Sequence, residues 1–367
     1  MNRLAVMHLV DTLALGGAEA MAVHLANAFP PGRYQVYLCA TRRGGPLQER
    51  IQSHVEYLNL GRWFRFDIAA IARLAAFVRS RRIRILHAHG TAVFAAAAAS
   101  VAADARLVWH DHQGMRCTTG PSPAYRLLAK RLDAVIAVTR ELAGWTVDRL
   151  GFPAGRTWYL PNFVPESRPD AAAPDLPGTQ GYRIVQVANL RPQKDHANMI
   201  RAMREVVRSV PQAHLLLVGS TRNAECVAGV QQLVRELGLG GHITILGERR
   251  DVAAVLAGCD IGVLSSASEG LPLALLEYGM AGLPVVATRA GECAEVLDGG
   301  RAGLLAAPGD PVDLAGGLIR LLENRAERAD FAARFERRVR ENFSANAAVG
   351  RICEIYDGIL RAKRRAA

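Results

Sequence analysis

Lysine is almost missing from this 367-residue chain: Lys130, Lys194 and Lys363 are the only three among 45 basic residues. The rest are arginine, a compositional habit that makes each lysine worth locating. Paired cysteines are missing too. Cys39, Cys117, Cys226, Cys259, Cys293 and Cys353 stand far apart with no C-x-x-C, which excludes a disulfide scaffold and a zinc ribbon and fits a reduced compartment. No apolar run is long enough to cross a bilayer; the longest, Ala92–Ala103, is broken by Ser100 and reads as a packed helix. The opening MNRLAVMHLV has a short apolar run before Asp11 and no cleavage pattern, so no signal peptide is expected and the expected location is cytoplasmic. No nucleic-acid-binding module is recognisable, so nucleic acid is not expected as a partner.

Half of the residues are hydrophobic and charge is mixed throughout, the composition of a globular chain with room for two cores. The excess of positive charge is uneven. Residues 1–165 hold 20 Lys and Arg against 10 Asp and Glu, a net of +10, whereas the remainder holds 25 against 24. Part of the excess lies in GRWFRFDIAAIARLAAFVRSRRIRI (61–85), where Trp63, Phe64 and Phe66 stand among arginines. Two readings are open: a face for an anionic membrane surface, making the protein peripheral on the inner face of the cytoplasmic membrane, or a solvated helix face with its aromatics in the core.

Apolar strand patterns alternate with helical stretches along the chain. LAVMHLV, YQVYLCAT, RIRILHAH, ARLVWHDH and LDAVIAVT read as strands, with a helix from about Ala18 to Phe29 after the Gly16-Gly17 turn. Apolar periodicity stops over VPESRPDAAAPDLPGTQG (164–181), a Pro/Gly/Ala-rich linker. YRIVQVANL, HLLLVGS, HITILGE and DIGVLSS then resume the theme. The expected architecture is α/β, two Rossmann-like doubly wound parallel-sheet domains facing a cleft. The expected boundaries are 1–165, a linker over 166–181, a second domain over 182–345, and 346–367 as a final amphipathic helix.

The most informative segment is Glu269-Gly270-Leu271-Pro272-Leu273-Ala274-Leu275-Leu276-Glu277. A carboxylate stands in a Ser/Gly loop, Pro272 is expected to open a helix, and a second carboxylate follows inside it. Amides of Gly270, Leu271 and Leu273 would form an anion site at the positive end of the helix dipole. A diphosphate resting there would leave a hydroxylated ring within reach of each carboxylate. Two glutamates eight apart also occur on ordinary surface helices. Strand, loop, helix, strand around this segment favours a ligand at the strand ends.

SSASEGLPLALLEYGMAGLPVVATRAGECAEV resembles the donor-binding signature of the family 4 glycosyltransferases, retaining enzymes of the GT-B fold. VANLRPQKDH (187–196), LALGGAE, LHAHG (86–90), WHDH (109–112), LPNFV (160–164) and AGLLAAPGD (302–310) resemble further family motifs, in the family's order and over nearly the whole chain. The resemblance implies that Glu269 holds hydroxyls of the donor sugar and Glu277 those of the ribose; Glu295, in the next Gly loop, is a candidate for a supporting contact or a cap. Arg191 and Lys194 are the fixed cations expected on the diphosphate, a task that in the other large glycosyltransferase class falls to a metal at Asp-x-Asp, a pattern this chain lacks. His110 matches the histidine that reaches the donor sugar across the cleft. Gly16 and Gly17 would let the backbone approach a ligand at a helix start. The final helix, by the same resemblance, crosses back onto the first domain. Glu292 departs from the family pattern, which has a second glycine after Gly291, and so leaves the donor sugar open.

The expected reaction is metal-independent transfer from a nucleotide-diphosphate sugar of UDP or GDP type, with no cofactor, to a hydroxyl of a glycan or lipid-linked acceptor in cell-surface polysaccharide assembly. Cleft closure would complete the site. The alternatives are a metal-dependent hydrolase using His87, His89, His110 and His112, or a protein that binds nucleotide-sugars without transfer. An epimerase or phosphorylase on the same fold is a further one; a phosphorylase would need a pyridoxal lysine, and Lys194 is already taken by phosphate binding.

Overall fold

The structure, a computed structural model, describes residues 3–14, 16–64, 67–112, 120–164 and 174–362. Phe66, Cys117, Lys363 and residues 166–173 of the expected linker lie outside the described residues. The chain divides into two compact units, Met1–Pro165 with Ala345–Ala367, and Glu166–Ser344.

In the first unit the strands are β1 (Leu4–Thr12), β2 (Tyr34–Arg43), β3 (Val55–Asn59), β4 (Ile85–His89), β5 (Arg106–Asp111), β6 (Ala134–Ala137) and β7 (Thr157–Tyr159). They form one sheet of order β3-β2-β1-β4-β5-β6-β7, paired in parallel throughout. Helices α1 (Gly17–Ala28), α2 (Ile68–Ser80), α3 (Val93–Ala103), α4 (Pro123–Ala129) and α5 (Arg140–Asp148) belong to the same unit. Runs such as Ala5–Val10 and Ile85–His89 are buried along their length, as strands covered on both faces must be. Chain order reverses between β1 and β4, the place in such a sheet where ligands settle beyond the strand ends.

The second unit repeats the plan. Strands β8 (Arg183–Val187), β9 (His214–Val218), β10 (Ile243–Gly247), β11 (Ile261–Leu264), β12 (Val285–Thr288) and β13 (Leu304–Ala306) lie in the order β10-β9-β8-β11-β12-β13, with the reversal between β8 and β11. Its helices are α6 (His196–Ser209), α7 (Ala224–Glu236), α8 (Val252–Ala257), α9 (Leu273–Met280), α10 (Cys293–Val296), α11 (Pro311–Glu323) and α12 (Arg325–Asn342). Residues 174–181 are tied to this unit: Arg183 donates to the carbonyls of Leu176, Pro177 and Gly178, and Leu176 is buried.

The last helix, α13 (Ala345–Arg361), belongs with the first unit. Its apolar face buries Ile352, Ile355, Tyr356 and Ile359, and Asp357 accepts a hydrogen bond from Arg33 at 2.7 Å. Among the described residues no helix is long and apolar enough to cross a membrane.

Candidate active site

The loop after β8 is fixed from below. Gln186, buried on β8, donates to Ser265 Oγ at 3.0 Å, and that hydroxyl donates to the carbonyls of Lys194 (3.0 Å) and Asp195 (3.1 Å). Ala267 N–H donates to Gln193 O at 2.9 Å, so this loop and the one after β11 are stitched together. Asp195 takes a left-handed conformation, φ +43°, and caps α6 by accepting from Asn198 N–H. The result holds Lys194 and Glu269 face to face, Nζ to Oε1 at 2.5 Å, and Ser266 Oγ donates to the same oxygen at 2.6 Å. Glu269 is nearly covered, its side chain 8% exposed. Arg191, at the start of the same turn, is exposed and has no ion pair among the described residues. The cation and the carboxylate expected to serve different parts of one ligand are therefore partners, a pairing that no spacing in the sequence signals.

Pro272 does not open the helix. It precedes it, with ψ 112°, and α9 starts at Leu273. The pyrrolidine fixes φ while the extended ψ turns the chain in from the exposed Gly270. No side chain caps α9, which leaves its first amides for another acceptor. Glu277 lies half-buried one turn on, and burial pushes its carboxyl up to about 7. Next to it Tyr278 points into the sheet, where its hydroxyl accepts from Val187 N–H and donates to Val263 O, bridging β8 and β11 at the reversal. Gly291 makes the close approach on the other side. Its φ is +53°, and a Cβ there would stand 2.2 Å from Glu269 O. Glu292 N–H donates to Gly270 O at 3.0 Å, so the departure from the family pattern falls on a residue whose backbone braces the Glu269 loop. Glu295 lies exposed on α10, and its carbonyl accepts from Arg338.

In the first unit His110 is buried at the end of β5, within a group of five imidazoles from β1, β4 and the end of β5. His87 Nε2 meets His110 Nδ1 at 3.1 Å, His8 Nδ1 meets His89 Nε2 at 3.3 Å, and His89 Nδ1 meets His112 Nε2 at 3.0 Å. Burial lowers them all: His8 to about 3, His112 to about 4, and His87, His89 and His110 well below 6.5, helped by their neighbours. All five are neutral near pH 7. Two triads, His8-His87-His89 and His89-His110-His112, have nitrogens within 4.8 Å of one another, the spacing a metal needs. Gly16 caps α1 without positive φ and Gly17 is its first residue; a Cβ on Gly17 would meet nothing within 4 Å, whereas one on Gly16 would strike the Glu19 carboxylate. Sequence reasoning missed Asp11, which accepts from Thr91 (2.5 Å), Thr41 (2.6 Å) and Arg62 (3.0 Å) at the same strand ends.

The basic aromatic segment splits in two. Trp63 is 87% exposed, Phe64 62% and Ile68 79%, so the reading that placed these aromatics in the core is wrong for Trp63 and Phe64. Phe77, further along α2, is packed on Tyr37.

Residues 15–168 match the family described as Glycosyltransferase Family 4, and residues 181–324 match that described as Glycosyl transferases group 1. N-acetyl-alpha-D-glucosaminyl L-malate synthase of Bacillus anthracis is 31% identical over 48% of this chain and 46% of its own length. The chain spans about half the length of the curated relatives it matches. Among solved structures, a glycosyltransferase from Rickettsia africae superposes with a TM-score of 0.80 at 16% identity, covering 99% of this chain and all of that one. Anabaena HepE in complex with UDP and glucose superposes at 0.74 with 21% identity, covering 97% of this chain and all of that one.

Proposed function

We infer, from a chain that belongs to the family 4 glycosyltransferases, that it moves a sugar from a nucleotide-diphosphate donor to a hydroxyl of a glycan or lipid-linked acceptor, with retention and without a metal. The observation that carries this reading lies beyond the carboxyl ends of β8 and β11, where Lys194, Glu269 and the uncapped start of α9 share one loop system with Glu277 one turn away.

In this reading the diphosphate lies across the first amides of α9 and draws Lys194 and Arg191 onto its oxygens. Charge that builds on the leaving phosphate as the glycosidic bond breaks is stabilised by groups already in place. Glu269, released from Lys194, accepts hydroxyl protons of the sugar, and Glu277 accepts those of the ribose. Glu295 supports this site; Gly17 leaves space for a ligand at the start of α1, and Gly16 shapes the turn. His110 hydrogen-bonds the donor sugar. No side chain attacks. The acceptor oxygen bonds to the anomeric carbon on the face the phosphate leaves, and its proton passes to the departing phosphate oxygen, so charge and atoms balance within the two substrates. HepE, solved with UDP and glucose, supports a UDP donor over a GDP one.

Membrane apposition is proposed through Trp63, Phe64 and Ile68, which stand exposed just before and at the start of α2 and would bring the first unit to an anionic surface where a lipid-linked acceptor resides. The histidine triads favour a second reading, a metal-dependent hydrolase. Incubation with UDP- and GDP-sugars in EDTA, followed by the anomeric configuration of the product, decides between them. Retained product in EDTA supports transfer. Sugar released to water only when a metal is added supports the hydrolase.

A further inference from the structure

The five imidazoles lie in two hydrogen-bonded rows that run across the strands. One row starts on α13, where Tyr356 Oη stands 2.6 Å from His87 Nδ1, and continues from His87 Nε2 to His110 Nδ1. The other runs from His8 through His89 to His112. Along the strands the rows stack, His87 on His89 with centroids 4.8 Å apart and His110 on His112 at 4.4 Å. The pairs within a row point at each other. His89 and His112 have centroids 5.3 Å apart while their nitrogens are 3.0 Å apart, close to an in-line arrangement. Nitrogens aimed at one another share a proton, whereas ligands of one metal must aim at a common third point.

A neutral imidazole has one N–H and one lone pair, so every proton in a row must point the same way. The direction of the first row is set at its buried end. Tyr356 is fully buried against the rings of Phe29 and Tyr34, and His87 Nδ1 is its hydroxyl's hydrogen-bond partner among the described residues. If His87 Nδ1 carried the proton, the Tyr356 O–H would have no acceptor, an arrangement buried donors avoid. Burial also holds the Tyr356 proton far above its usual range. The hydroxyl therefore donates to His87 Nδ1, His87 donates from Nε2 to His110 Nδ1, and His110 is left with its proton on Nε2, for which no hydrogen-bond partner is found among the described residues. We propose that Tyr356, acting through His87, is a positioning residue that fixes His110 as an Nε2–H hydrogen-bond donor. It rests on the reading of His110 as a donor-sugar contact, and specifies that the group it meets is an oxygen acceptor, with no role for His110 as a base.

The test uses the full chain labelled with 15N-histidine, the His110 resonances being assigned from His110→Gln. Long-range 1H–15N correlations distinguish the Nε2–H tautomer from the Nδ1–H one, beside the kcat and KM of transfer. His110 should be wholly Nε2–H in the wild type. Tyr356→Phe removes the donor that starts the row, and His87→Asn keeps a partner for Tyr356 while leaving His110 Nδ1 unpaired. Each cuts the row at a different place, so a folding defect in one leaves the other. Both should give a mixture of tautomers at His110, at least a tenfold loss of kcat, little change in donor KM, and no change in the His8-His89-His112 row. A His110 that is Nδ1–H in the wild type, or stays Nε2–H in both variants, overturns the proposal even if turnover falls. A tautomer shift with kcat unchanged supports the relay and instead removes His110 from the proposed reaction.

Discussion

Lys194 Nζ lies 2.5 Å from Glu269 Oε1, in a pair whose carboxylate is almost wholly covered. In the proposed reaction a phosphate oxygen takes the carboxylate's place on the lysine, and a sugar hydroxyl takes the ammonium's place as hydrogen-bond donor to the glutamate, so donor binding would be an exchange of partners. That arrangement keeps the carboxylate from being left uncompensated in its pocket.

Removing the lysine alone should therefore cost more than removing both charges. Lys194→Ala is expected to destabilise by on the order of 1–3 kcal/mol, and Lys194→Ala/Glu269→Gln by less than Lys194→Ala alone. Urea unfolding of the four proteins of the cycle checks this. Additive costs would mean that the pair is not coupled.

Glu277 makes stability depend on pH. Its carboxyl keeps its proton up to about pH 7 in the folded chain but loses it near 4.5 when unfolded. Between those values the folded state binds more protons, so this contribution is full at low pH and stability falls as pH rises through 7. Glu277→Gln should unfold later than wild type at pH 8, by on the order of 1–3 kcal/mol, and no later at pH 4. Nucleotide affinity should run the opposite way in the wild type, strengthening as the pH rises through about 7, because the ionised carboxylate is the better acceptor for ribose hydroxyls. Calorimetric titration across pH 5.5–8.5, buffers spanning about 1.5 units on either side of that value, would reveal a flat profile if Glu277 does not touch the ligand.

Two glycines should respond oppositely to alanine. Gly291→Ala puts a methyl where Glu269 O already lies, in a left-handed conformation, and should cost more than about 1 kcal/mol and most of the turnover. Gly17→Ala meets open space in the first turn of α1 and should leave stability unchanged or raised by up to about 1 kcal/mol. If Gly17 gives a ligand room, turnover falls in this variant while the unfolding midpoint holds. Unchanged turnover would reduce Gly17 to a turn residue.

Trp63→Ala/Phe64→Ala should weaken sedimentation with vesicles of phosphatidylserine and phosphatidylcholine at least tenfold and leave turnover on a water-soluble acceptor intact. Equal sedimentation of both proteins would leave the exposed aromatics without a membrane role.

Much of the fold was legible because buried parallel strands write themselves as continuous apolar runs. LAVMHLV, HLLLVGS and DIGVLSS all became central strands. The missed strands are short or at or next to sheet edges: β3, whose residues are mostly half-exposed, and β7 and β13, of three residues each. Glycine and proline placed the loop before α9, but Pro272 shows that a proline marks a helix start only to within a residue. What sequence could not disclose was contact. Ser265 under Lys194, Gly291 against Glu269, and Tyr356 against His87 across 269 residues are brought together only by the folded chain.

The most direct test of the account is thermal unfolding with UDP, GDP and ADP in EDTA, on wild type and Glu277→Ala. A nucleotide at a hundred times its dissociation constant stabilises by about 2.7 kcal/mol. The account predicts that UDP raises the midpoint in EDTA and that Glu277→Ala abolishes the rise. A midpoint moved by no nucleotide in EDTA, but raised once a divalent metal is added, would contradict it.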